Sequence, residues 1–242
     1  MLHAAHADAW EVHGRYRESM GGGAARLPGI RLMASGLAHA QWNGGDVVNA
    51  SLVDVVAVRE WFAGLGVPWG VRVSRDLPWP HGRHLLSHRF MGVTPTLFRP
   101  AALPHGVVLR RAGPEDVDSV MLIDTGAFGE PDEVQRPWLA PILAQPSAIV
   151  CIAETEGVAV AGGHCVLSDG DAGPAVYLAG IGVVPSARRR GIGAAVSSWL
   201  VARGFASGAR LAHLFPESEE AERVYSRLGF VEGGGFDVYV DI

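Results

Sequence analysis

Between Ala179 and Ala194 the chain reads Ala-Gly-Ile-Gly-Val-Val-Pro-Ser-Ala-Arg-Arg-Arg-Gly-Ile-Gly-Ala. An apolar strand, a short turn carrying Arg188, Arg189 and Arg190, and a glycine-spaced helix start follow one another without a break. The first backbone N–H groups of a helix have no intrahelical partner, and the helix dipole makes that end positive. Glycine removes the Cβ that would hold an oxygen-rich ligand away from those donors. The segment therefore predicts a concave anion cradle, suited to a phosphate or diphosphate. A Walker loop is excluded, because the Gly-Lys-Ser/Thr end is missing and the chain contains no lysine. The dinucleotide fingerprint is excluded too, since it needs three glycines in Gly-x-Gly-x-x-Gly order.

The flanking sequence supplies the strands and helices that such a cradle needs. Val107–Arg111 reads as a strand, and Gly113-Pro114-Glu115-Asp116 opens a helix with proline at its first position and carboxylates in its first turn. Asp124–Ser147 is a long stretch carrying Pro131, Pro137, Pro141 and Pro146. Ala148–Glu154 and Val158–Leu167 pair across Glu156-Gly157, and Ser168–Gly173 is a polar turn before the strand Ala175–Val184. After the cradle, Val196, Trp199 and Leu200 share one helix face, and Gly208 can cap that helix. Arg210–Phe215 is a strand. Ser218 caps a further helix whose first turn holds Glu219, Glu220 and Glu222, and Gly229 stops it. Phe236–Val240 closes the sheet.

Arg188-x-x-Gly191-x-Gly193 after a Val-x-Pro strand end, followed by Tyr225-Ser-Arg-Leu-Gly-Phe, resembles the GCN5-related N-acetyltransferase (GNAT) family over residues 107–242. The resemblance implies an α/β fold with a mixed, mostly antiparallel central sheet flanked by helices. It implies that acetyl-CoA is the co-substrate, with the coenzyme's diphosphate on Arg188, Arg189, Arg190, Gly191, Ile192, Gly193 and Ala194. Backbone N–H groups near Ile181, Gly182 and Val183 would polarise the thioester carbonyl. Tyr225 matches the tyrosine that protonates the leaving thiolate; a core tyrosine is the alternative. Relatives often carry asparagine seven residues before that tyrosine, where this chain has Ser218, so a weaker cofactor contact is expected there. The stretch 124–147 would wall the acceptor pocket.

For the base, His213 in the strand before the tyrosine helix is the first candidate and His164 the second, since imidazole can accept a proton directly or through water. His81, His84 and His88 have metal-ligand spacing if Gly82–His88 is a helix, but no carboxylate or cysteine is near in sequence. Cys151 and Cys165 lie in strand-like stretches and read as buried thiols of a reducing compartment.

The first 105 residues differ from the rest. A helix is expected over Ala5–Tyr16, a break at Gly21-Gly22-Gly23, and a strand over Gly29–Ala40. A hairpin turn over Gln41–Asp46 would then return through Val47–Ala50. A helix through Leu52–Phe62, a strand at Trp69–Val73, the short helix Gly82–His88 and a closing strand at Thr96–Arg99 follow. That order is a diminished echo of the second half, without its cradle or tyrosine. Two domains are expected: a degenerate GNAT-like half at 1–105 and the acetyltransferase domain at 106–242, joined by the proline-rich 100–105.

Charge is uneven: residues 1–105 hold ten arginines against seven acidic residues, and 106–242 ten against eighteen. No broad basic stripe offers itself to nucleic acid, and no apolar run is long enough to span a membrane. The first residues show no basic region followed by an apolar core, so a cytoplasmic protein is expected. The reading is an N-acetyltransferase acting on a small-molecule or peptide amine by direct attack. The alternative is a non-catalytic acyl-CoA sensor on the same fold; acceptor identity and a homodimeric assembly are left open.

Overall fold

The computed structural model describes residues 1–129 and 131–242, which divide into two compact units. The first comprises Met1–Met91, Gly170–Ala172 and Glu232–Ile242, the second Gly92–Asp169 and Gly173–Val231.

In the first unit, helix α1 (Leu2–Tyr16) precedes the antiparallel run β1 (Gly23–Leu27), β2 (Ile30–Ala34) and β3 (Asn43–Val47). Helix α2 (Val55–Leu65) crosses over to β4 (Gly70–Ser74), which lies parallel to β3. Asp54 caps α2 by accepting from the N–H groups of Val56 at 2.9 Å and Ala57 at 3.3 Å, and Gly66 ends it at φ +65°. Its apolar face sets Val58 and Phe62 on Ile30, Leu32, Val47, Val71 and Val73. β5 (Arg83–Val93) and the late strand β11 (Val231–Val240) neighbour each other, and β11 pairs antiparallel with β4. Charged groups are buried here only with partners, as the cost of desolvation demands. Asp46 accepts two bonds of 2.8 Å from Arg72 and faces His3, and Asp8 accepts from the N–H groups of Asp171 and Ala172 and from Arg31.

The second unit follows the expected order. β6 (Val107–Ala112), β7 (Ala148–Thr155) and β8 (Val158–Gly170) form antiparallel pairs. β9 (Gly173–Val183) is next to β8, and β10 (Leu211–Leu214) lies parallel to β9. Helices α3 (Val117–Phe128), α4 (Asp132–Ala144), α5 (Ile192–Ala206) and α6 (Glu219–Arg227) complete it. The strand–helix–parallel strand of β9–α5–β10 repeats that of β3–α2–β4, so each unit holds one such crossover.

α5 sits directly on β9 because Gly204 has no side chain: a Cβ there would lie 2.6 Å from Val176 Cγ1. Gly204→Leu is expected to cost about 3 kcal/mol through overpacking, read as a lower urea midpoint. An unchanged midpoint would mean that the helix can lift off the strand freely.

Several sequence expectations are corrected. The strand expected over Gly29–Ala40 stops at Ala34, and the returning strand is Asn43–Val47, inside the segment assigned to the turn. Asn43 anchors the intervening loop instead: its amide donates to the carbonyls of Leu37, His39 and Pro68, and its oxygen accepts from the Ser35 N–H. The helix expected over Gly82–His88 is absent: Arg83–His88 belongs to β5, whose pairing to β11 overrides local preference. Thr96–Arg99 forms no strand; the Leu97 and Phe98 N–H groups both bond Thr94 in a turn. Within 124–147, for which no element was expected, α4 holds Pro137 and Pro141 in its interior. Each proline removes a helix hydrogen bond, and burial of Trp138, Leu139, Ile142 and Leu143 holds the helix together. Finally, β11 groups with the first unit, because its partner is β4, while 92–105 groups with the second. Arg99 N–H bonds Leu228 and Ala101 N–H bonds Ser198 there.

Candidate active site

β9 breaks its own regularity at Gly180, whose φ of +61° is the left-handed conformation found in bulges. At this point the ring of His164 on β8 comes so close that a Cβ on Gly180 would meet its Nδ1 at 3.2 Å. Beyond Gly180, β9 continues through Ile181, Gly182 and Val183 into a short 3-10 turn, Pro185–Ala187. Gly182 rests against α3, where any Cβ would be 2.8 Å from that of Ala127.

The three arginines divide their work. Arg188 turns back into the protein, donating through Nε to the Val183 carbonyl and through Nη2 to the Ala127 carbonyl, each at 3.0 Å. It therefore pins the loop to the end of β9 and to α3. Arg189 and Arg190 are exposed, and Arg189 takes a left-handed φ of +62°. Gly191 is the N-cap of α5 at φ +78°, and no side chain caps this helix. The contrast with α2 is instructive. There the carboxylate of Asp54 fills the anion position at the helix start. At α5 no side chain does so, and the N–H groups of Ile192, Gly193 and Ala194 have no built-in acceptor from the cap.

Tyr225 lies on α6 and is nearly buried, packed 5.8 Å from the ring of Phe230. Burial, and then the nearby Glu217, push its phenol up to about 12. Ser197 on α5 opposes part of that rise, and its own hydroxyl donates to the Gly193 carbonyl at 2.8 Å. Ser218 is committed to capping α6, its Oγ accepting from the Ala221 N–H at 3.2 Å.

His213 lies on β10, fully buried, with its ring 5.3 Å from that of Tyr177; burial lowers it to about 3. His164 is buried as well, and lowered to about 4 by desolvation. It lines a cavity of about 20 Å³, together with Asp124 on α3, Ile142 on α4 and Gly180 on β9. Asp124 and Ser197 were not singled out in the sequence. Ser197 stands one helical turn after Gly193, a spacing that could have found it, whereas nothing local marks Asp124.

The remaining constellations dissolve. His84 and His88 lie on a strand, and among the described residues no cluster of three His, Cys, Asp or Glu side chains could hold a metal ion. Cys151 and Cys165 are free, buried and pushed up to about 12 by desolvation, which leaves them as unreactive thiols.

Residues 117–230, from α3 to the tyrosine helix and its stop, match the acetyltransferase (GNAT) family. The chain carries a GNAT-family domain. Its fold is similar over its whole length, first unit included, to a GCN5-related N-acetyltransferase from Kribbella flavida: TM-score 0.74 at 19% identity, covering 100% of this chain and 96% of that one. A GNAT-family protein from Novosphingobium aromaticivorans gives a TM-score of 0.60 at 15% identity, covering 96% and 95% of the two chains. A GCN5-related N-acetyltransferase from Sphaerobacter thermophilus gives 0.54 at 18%, covering 88% and 80%. At these identities the likeness is one of fold. No curated protein matches in sequence. Among the described residues no helix is long and apolar enough to cross a membrane.

Proposed function

We propose that the GNAT-family domain is an N-acetyltransferase that moves an acetyl group from acetyl-CoA to the amine of a small-molecule or peptide acceptor by direct attack. The observation that carries this reading is the uncapped start of α5, reached through a left-handed glycine. The N–H groups of Ile192, Gly193 and Ala194 would hold the diphosphate, with Arg189 and Arg190 exposed alongside and Arg188 keeping the loop in place. Fixing the coenzyme through its phosphates orients the thioester at a distance from them. Backbone N–H groups at Ile181–Val183, past Gly180, would polarise the thioester carbonyl; such a donor is worth about 3–4 kcal/mol against a developing oxyanion.

Tyr225 is given the leaving group. A phenol pushed up to about 12 keeps its proton at neutral pH. It is also a weaker acid than a thiol of pKa about 8.5, so it stabilises the departing thiolate by donating a hydrogen bond more readily than by full transfer. His164 is preferred to His213 as the proton acceptor. Both are neutral at pH 7, and His164 borders a cavity beside Gly180. That cavity is large enough for one water, which could relay the amine proton to the ring.

A thiol-release assay with a panel of amines tests the activity. A chain that binds coenzyme A but releases thiol with none of them is an acyl-CoA sensor, and the enzyme reading fails. Within that assay Tyr225→Phe is expected to lower kcat about a hundredfold while leaving coenzyme A affinity within about twofold. An unaffected rate would remove the tyrosine from the mechanism and leave it as a core residue.

A further inference from the structure

The C-terminal half of α5 borders a second cavity, of about 290 Å³, with β6 and β7 forming the other side. It stands on the same helix as the cradle but at the other end: Arg203 follows Ile192 by eleven residues, roughly 16 Å at the α-helical rise. Leu109, Ile149 and Ala206 give it apolar walls, and Trp199 adds a ring.

Its charge is out of balance. Of the three arginines that line it, Arg110 is neutralised by Asp116 at 2.7 Å and Glu154 at 2.8 Å. Arg111 donates only to the Ala148 carbonyl, and Arg203 lies over the Trp199 ring with its guanidinium carbon 4.5 Å from the centroid. Among the described residues neither of these two has a carboxylate partner. Residues 106–242 carry eighteen acidic side chains, yet none of the described ones is placed against this pair. With no carboxylate against them, both guanidinium groups keep charge-assisted hydrogen bonds to offer an anion that enters the cavity. The stacked indole restrains Arg203, so less side-chain freedom is lost when an anion arrives.

We propose that this cavity is a binding site for a metabolite-sized organic acid, whose carboxylate is taken by Arg111 and Arg203 and whose carbon skeleton packs on Ile149, Ala206 and Trp199. The volume lies at the lower end of the range for small-molecule sites, which suits a single ring or a short chain. The site is separate from the diphosphate cradle and does not depend on acetyl transfer.

Benzoate is the probe, titrated by calorimetry into the full chain, with benzamide as the uncharged isostere. Benzoate is expected to bind saturably and at least tenfold more tightly than benzamide. Arg111→Ala and Arg203→Ala should each weaken it at least tenfold, while Arg189→Ala and Arg190→Ala leave it unchanged. Both lining arginines are exposed, so their loss should not unfold the chain. The proposal is overturned if wild type shows no saturable benzoate binding, if benzamide binds equally well, or if the double variant keeps its affinity. It is overturned as well if the Arg189 and Arg190 variants are the ones that lose binding, since the anion then sits in the cradle. Coenzyme A affinity of Arg203→Ala, expected to be unchanged, keeps this outcome apart from failure of the acetyltransferase reading.

Discussion

Gly191→Val is expected to weaken coenzyme A binding at least a hundredfold, about 2.7 kcal/mol, in a chain that remains folded. Gly191 sits at φ +78°, where an L-residue costs about 1–2 kcal/mol and a β-branched one more. Space is not the obstacle, because a Cβ at this position would meet only Pro104 Cγ at 3.7 Å. The strain would instead be relieved by turning the backbone to negative φ, which swings the first N–H groups of α5 away from a common point. Gly191→Asn separates the two causes, since asparagine tolerates the left-handed region far better. Calorimetry with coenzyme A, alongside thermal melts, should rank the glycine first, asparagine second and valine last. Equal losses for asparagine and valine would point to crowding of the ligand. If neither variant loses affinity, the cradle is not where the coenzyme binds.

Acidification should destabilise the protein well before its carboxylates titrate. His213 at about 3 and His164 at about 4 remain neutral in the folded state, while the same rings in the unfolded chain protonate near pH 6.5. Between those values the unfolded state binds more protons, so stability is complete above about pH 6.5 and declines as pH falls. Each histidine contributes a slope of up to about 1.4 kcal/mol per pH unit, against a total stability on the order of 5–15 kcal/mol. The depressed carboxyl of Asp46, held by Arg72, acts in the same direction but only below the ordinary carboxylate range. Unfolding midpoints measured from pH 7.5 to 4.5 should therefore fall steeply, and His213→Asn should flatten the curve even though it lowers the starting stability. A midpoint indifferent to pH across that window would show that both rings can take a proton in place.

The strand end, turn and glycine-led helix start were legible in the sequence because they lie within sixteen consecutive residues. Glycine positions, a proline at the strand end and a helix start are local facts, as are the Ser218 cap and the Gly229 stop of α6. What could not be read depends on residues that meet only after folding. Nothing near Arg188 in sequence shows that the Ala127 carbonyl, 61 residues earlier, accepts from it. His164 and Asp124 share a cavity across forty residues of chain, and neither carries a neighbouring signature. The segment around His84 reads as helical by spacing, but a strand partner that appears only near residue 237 decides otherwise. Pro137 and Pro141 likewise argue against a helix that burial then imposes.

The pairing of β11 with β4 gives the first unit a late completion date. About 140 residues separate its two main segments, and at 5–20 residues per second a ribosome needs roughly 7–28 s to make them. For that interval the Val71 and Val73 strand waits with an open edge, a template for stray β-pairing. Nascent chains stalled before residue 231 should engage holding chaperones through that edge, and those extended past residue 240 should let go.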